Sequence, residues 1–166
     1  MSRFVRDSKV RHIYCQPPKA EECHTAMRLS TSTGDHNYIK GNSKFFALAL
    51  QGGGGPLAVI PYSAAGKIPR EFPVIAGHKS AVLDFDFMPS HDQIIATGSD
   101  DCTVKLWGIP SEEGLTENIT EPLSDMHGHD RKVTHIKFHP TASNTLASTS
   151  ADFLVKIWKV REKYAL

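Results

Sequence analysis

Residues 77–107 read Gly77-His78-Lys79-Ser80-Ala81-Val82-Leu83-Asp84-Phe85-Asp86-Phe87-Met88-Pro89, then close with Ala96-Thr97-Gly98-Ser99-Asp100-Asp101-Cys102-Thr103-Val104-Lys105-Leu106-Trp107. Residues 128–158 repeat the pattern, from Gly128-His129 through Val133, Phe138 and Pro140 to Ser148, Asp152 and Trp158. His129, Ser148, Asp152 and Trp158 each lie 51 positions after His78, Thr97, Asp101 and Trp107. One register held across four residue types marks an internal repeat, and a repeat of this length sets the architecture.

Each unit holds short apolar runs separated by turn residues, with an Asp ahead of a run that ends in Trp. This resembles the WD repeat, in which each unit forms a four-stranded blade of a β-propeller. The terminal dipeptides are Trp107-Gly108 and Trp158-Lys159, so the Asp of the repeat's name is missing from both. The resemblance implies a structural network in each blade: His78, Thr97, Asp101 and Trp107 in one, His129, Ser148, Asp152 and Trp158 in the other. The chemistry suits a closed chain. A carboxylate only accepts, an indole only donates, and a hydroxyl or neutral imidazole does both. A Ser-His-Asp catalytic reading is set aside, because the set occurs twice and each copy ends on a Trp.

The 166 residues are 40% hydrophobic with a net charge of +1, so the chain is globular in composition and has no overall pull toward nucleic acid or a membrane surface. No apolar run is long enough to span a bilayer, and the start lacks the apolar segment of a secretory signal. Three cysteines, Cys15, Cys23 and Cys102, suit a reducing cytoplasm better than a disulfide scaffold. The nine histidines show no metal-ligand spacing, and no cofactor is expected. Propellers close with about 4–8 blades. Units of 51 residues give this chain about three. The expectation is a partial, all-β propeller of about three four-stranded blades, too few for a ring, with the rest supplied by a longer protein or another chain.

In chain order, residues 1–19 form a basic segment with Lys9 and Arg11, in which residues 10–14 alternate as a short strand does. Residues 20–76 form a divergent first blade. Ala26–Ser30 is a strand candidate. Phe45–Leu50 is an unbroken apolar run, which fits a strand buried on both faces. It leads through Gly52–Gly55 to Leu57–Ile60, a hairpin pattern. A phosphate loop is excluded there, since no Gly-Lys-Ser/Thr follows. Residues 77–127 form the second blade, with inner strands at 82–87, 94–97 and 103–107 and an outer strand near 122–126. Residues 128–166 form the third, whose outer strand is incomplete.

The likeness extends beyond the repeat. Ser8-Lys9-Val10-Arg11-His12 followed by Gln16-Pro17, then Met27-Arg28-Leu29-Ser30, resemble the opening of coronins. So do the glycine cluster between two apolar strands, the stretch Ile94–Val104 with Trp107 and Ile109-Pro110, and the stretch His139–Leu146. In that family an Arg of the first blade is central to binding filamentous actin, and by position this is Arg28. Actin is acidic, and a guanidinium can hold a carboxylate through two parallel bonds. The resemblance therefore implies an actin-binding set of Arg28 with Lys9 and Arg11, a place at the cytoplasmic actin cytoskeleton, and no enzymatic activity. The alternative is a general WD-repeat scaffold that binds other proteins through the propeller rim.

Overall fold

The computed structural model describes residues 16–32 and 37–160. Apart from a short 3-10 turn at Ala20–Glu22, its regular elements are ten strands in three antiparallel sheets. The first sheet holds β1 (Ile39–Gly41), β2 (Phe45–Ala49) and β3 (Leu57–Pro61) in that order. The second holds β4 (Val82–Phe87), β5 (Ile94–Ser99), β6 (Thr103–Gly108) and β7 (Ser124–His127). The third holds β8 (Val133–Phe138), β9 (Thr145–Ser150) and β10 (Val155–Lys159). Each is a meander of hydrogen-bonded neighbours, and the three stand side by side as blades of an unclosed propeller.

Local sequence explains the strands. Val82–Phe87 and Val133–Phe138 are β-rich runs bounded by turn residues, and both carry a register shift at the same place, between Val82 and Asp84 and between Val133 and His135. Such a shift strengthens the local twist of a first strand. The run from Phe45 to Ala49 is buried throughout, because β2 is covered on both faces. Phe45, Ala47 and Ala49 turn toward Phe85, Ile95 and Trp107 of the second sheet. Phe46 and Leu48 turn outward, where Ile68, Met27 and Phe72 of the same unit cover them. Between the second and third sheets, Ala96, Val104 and Leu106 meet Val133, Ile136, Phe138 and Leu146.

Three expectations change. Only the second sheet has four strands among the described residues. In the first, the fourth position shrinks to Ile75, which exchanges both backbone bonds with Leu57, at 2.8 and 2.9 Å. Residues 26–30 do not form a strand. Ala26 has φ +72°, a left-handed conformation that interrupts an extended run, so the segment is tied down only at Thr25, which bridges Lys67, and at Leu29, which bridges Leu50. Finally, β1 has no sequence signal: Ile39-Lys40-Gly41 is three residues long with a charge at its centre and glycine at its end. The strand expected at residues 10–14 lies outside the described residues.

Candidate functional site

The two repeats build the same chain of hydrogen bonds. In the second sheet, His78 stands just before β4, Thr97 lies on β5, Asp101 in the β5–β6 turn and Trp107 at the end of β6. The Trp107 indole N–H donates to Thr97 Oγ1 at 2.8 Å. Thr97 Oγ1 lies 2.7 Å from His78 Nε2, and His78 Nδ1 lies 2.9 Å from Asp101 Oδ2. A hydroxyl that accepts the indole hydrogen has its own hydrogen free for Nε2, so the imidazole carries its hydrogen on Nδ1 and donates it to the carboxylate. In the third sheet the matching separations are 2.8 Å from Trp158 to Ser148, 2.8 Å from Ser148 to His129, and 2.8 Å from His129 to Asp152. Both imidazoles are 1% exposed, so no substrate reaches them. The relays lock the β-turns to the sheet, a structural role that their burial suits.

The copies differ in strength. Asp101 also accepts the Thr103 hydroxyl at 2.7 Å and the backbone N–H groups of Lys79 and Thr103 at 2.8 and 3.0 Å. In the third sheet Leu154 stands in place of Thr103, so Asp152 keeps only two backbone bonds besides His129, from Asp130 and Leu154. Burial alone pushes each carboxyl up, but the imidazole and its other donors outweigh it. Asp101 is held far below the ordinary carboxylate range, and Asp152 is held down at about 2.

The glycine of each Gly-His pair is required by close approach. A Cβ at Gly77 would lie 2.4 Å from the Thr120 carbonyl oxygen and 2.7 Å from Trp107 Cη2. At Gly128 the nearest atom is Trp158 Cη2 at 3.0 Å, with no backbone oxygen close by.

A second polar system joins the sheets to each other. Asp84 and Asp86, alternate residues of β4, are both buried. Asp84 accepts Lys40 Nζ of β1 at 2.8 Å and the Ile136 backbone N–H of β8 at 2.8 Å. Asp86 accepts the Phe138 backbone N–H at 2.9 Å and Lys137 Nζ at 3.0 Å. None of these residues is among the expected site residues. The one clue in the sequence is a pair of acids alternating through the otherwise apolar run Leu83-Asp84-Phe85-Asp86-Phe87. Acids on a buried strand need partners.

Arg28 is exposed, on the segment that skirts the first sheet. Its carbonyl accepts the Gln51 N–H at 3.1 Å, and the Ser30 N–H donates to the Ala49 carbonyl at 2.9 Å. The segment is therefore held on both sides of the arginine, beside an open cleft of about 1150 Å³. Lys9 and Arg11 lie outside the described residues. Among the described residues no His, Cys, Asp and Glu cluster could hold a metal, and no helix is long and apolar enough to cross a membrane.

Comparison with known proteins accounts for both the repeats and the first sheet. A model described as "WD domain, G-beta repeat" matches residues 70–108 and 120–159. A model described as "Domain of unknown function (DUF1899)" matches residues 3–67. The chain is 42% identical over 159 residues to a coronin-like protein of Schizosaccharomyces pombe, covering 94% of this chain and 26% of that protein. It is 36% identical to human Coronin-2A, covering 95% of this chain and 30% of the relative. This chain belongs to the coronin family. The fold agrees: the WD40 domain of Toxoplasma gondii coronin superposes with a TM-score of 0.75 at 31% identity, over 81% of this chain and 34% of the other. The chain thus spans about a quarter of the length of the first coronin relative it matches.

Proposed function

We propose that this coronin-family chain is a binding module, not a catalyst, and that it contributes the first-blade contact of a protein that binds filamentous actin and organises the cytoplasmic actin cytoskeleton. The observation that carries the reading is Arg28. It is exposed, its backbone is fixed on both sides to the first sheet, and no carboxylate pairs with it among the described residues. A guanidinium held this way is free to take a carboxylate of an acidic partner through two parallel bonds. Lys9 and Arg11 are proposed to add to the same basic surface. Co-sedimentation with actin filaments tests the reading, using the longest product of the native gene. Arg28→Glu is expected to abolish pelleting with filaments without lowering the melting temperature. Undiminished pelleting would remove Arg28 from the interface.

A further inference from the structure

The cleft beside Arg28 has a definite chemistry. Its floor is apolar, with Leu50, Ile68 and Phe72. Its charged lining is Arg28, Lys67 and Arg70 against Glu71, a local excess of two positive charges. The whole chain carries a net charge of only +1, so the cleft is more basic than the chain average. Arg28, Lys67 and Arg70 are all exposed, and none has an ion-pair partner among the described residues. Elsewhere on these sheets the lysines near acids are paired: Lys40 with Asp84, Lys44 with Glu112, Lys105 with Asp125, Lys137 with Asp86.

The walls are joined by backbone pairing. The Ile68 N–H donates to the Thr25 carbonyl at 3.3 Å, and the Thr25 N–H donates to the Gly66 carbonyl at 3.3 Å. Thr25 and Lys67 form a parallel bridge, and Leu29 bridges Leu50 across the floor. Arg28 and Lys67 therefore stand on two adjacent tied segments, separated by an apolar bottom.

We infer that this cleft is a docking groove for an acidic protein segment with an apolar anchor, in which Lys67 and Arg70 contact the partner's carboxylates alongside Arg28. The inference rests on the reading of Arg28 as a partner contact and extends it to two residues with no assigned role. Charge complementarity sets the partner's sign. The recessed floor sets the rest: it takes a side chain projecting from an extended segment. A flat bilayer would offer its headgroups to the rim alone, and a nucleic acid backbone would leave the apolar floor unfilled.

The test uses two probes on the full chain: actin filaments, and a fluorescein-labelled peptide with one leucine flanked by aspartates and glutamates. The variants are Arg28→Glu and the double variant Lys67→Glu/Arg70→Glu, each checked by thermal melting; the charges are exposed, so the fold is expected to hold. The inference expects the wild type to bind the peptide and the double variant to lose at least about tenfold in affinity, with binding weakened by added salt. It expects the double variant to lose filament pelleting as well. If Arg28→Glu loses filaments while the double variant keeps both probes, the groove is overturned and the actin reading survives. If the wild type never pellets with filaments but binds the peptide through Lys67 and Arg70, the groove stands and the actin reading falls. Wild-type binding to phosphoinositide vesicles without peptide binding, or binding to no probe, overturns the groove.

Discussion

Asp84 of β4 accepts the backbone N–H of Ile136 in β8 at 2.8 Å while its other oxygen holds Lys40 of β1 at 2.8 Å. One side chain thus ties together the first strands of all three sheets. The contact is more specific than apolar packing, because it fixes which backbone group of β8 stands opposite β4. Its neighbour Asp86 repeats the bond on Phe138, two residues along β8, so the pair sets the register between sheets.

The two acids differ in what their loss would expose. The Asp84 side chain is 2% exposed and its partner Lys40 is 15% exposed, whereas Lys137, the partner of Asp86, is 72% exposed. Asp84→Ala leaves a buried N–H unpaired and the poorly solvated Lys40 ammonium with only Asp86, at 4.0 Å, and is expected to cost about 3–5 kcal/mol. Asp86→Ala strands mainly the Phe138 N–H, for about 1–3 kcal/mol. Urea unfolding of the two variants checks the order. Equal losses would mean that Lys40 is not held by Asp84 in solution.

The relays make a parallel comparison possible. Thr97→Val removes the hydroxyl between Trp107 and His78 while keeping the side chain's shape. It orphans an indole N–H on a tryptophan that is 0% exposed, together with an imidazole nitrogen. A loss of about 2–6 kcal/mol is expected, from two groups at about 1–3 kcal/mol each. Ser148→Ala breaks the same link in the third sheet, but Trp158 is only half-buried, so water can replace part of what is lost. Its loss is expected to be the smaller, read as a smaller drop in the urea midpoint at unchanged slope.

Acid should weaken the molecule through these same carboxyls. Asp101 and Asp152 are held below the ordinary value near 4 by their imidazole and backbone donors, Asp152 down at about 2. Their contribution is therefore complete above about pH 5, and it is lost as pH falls from about 4 through the folded-state values. Melting temperature is expected to hold from pH 7 to about pH 5 and then fall. In Asp101→Asn the midpoint at pH 7 drops, and the further fall on acidification is shallower than in the wild type. An unchanged acid slope in that variant would show that Asp101 is not the group being titrated.

The relays were legible in the sequence because each link is a distinct residue type at a fixed spacing, repeated after 51 residues. The strands of the second and third sheets were legible for the same reason. Asp84 and Asp86 were less so. Their partners are backbone N–H groups 52 residues away, and a backbone group leaves no residue signature. The first sheet carries no copy of the repeat, so no fixed spacing marks β1 or interrupts the extended pattern of residues 26–30. Ala26 takes a left-handed conformation between the ties at Thr25 and Leu29. Lys67 and Arg70 sit far from Arg28 in sequence, and only the Thr25–Lys67 bridge brings their segments together.

The Gly-His glycines give the last comparison. Gly77→Ala would force a methyl to within 2.4 Å of the Thr120 carbonyl oxygen and 2.7 Å of the Trp107 ring, which is itself pinned through its indole N–H. Neither neighbour is a flexible side-chain tip, so the strand must shift and strain the His78 link; overpacking of this kind costs about 1–3 kcal/mol. Gly128→Ala meets only Trp158, at 3.0 Å, and the mobile Lys156 side chain, with Nζ at 3.5 Å. Trp158 is half-buried, so its ring is packed less tightly than that of Trp107, which is 0% exposed. Gly77→Ala is therefore expected to lower the melting temperature clearly more than Gly128→Ala, with an altered Trp107 indole resonance in a proton NMR spectrum. Equal effects, or an unmoved indole signal, would mean that the glycine is set by its turn and not by the ring pressed against it.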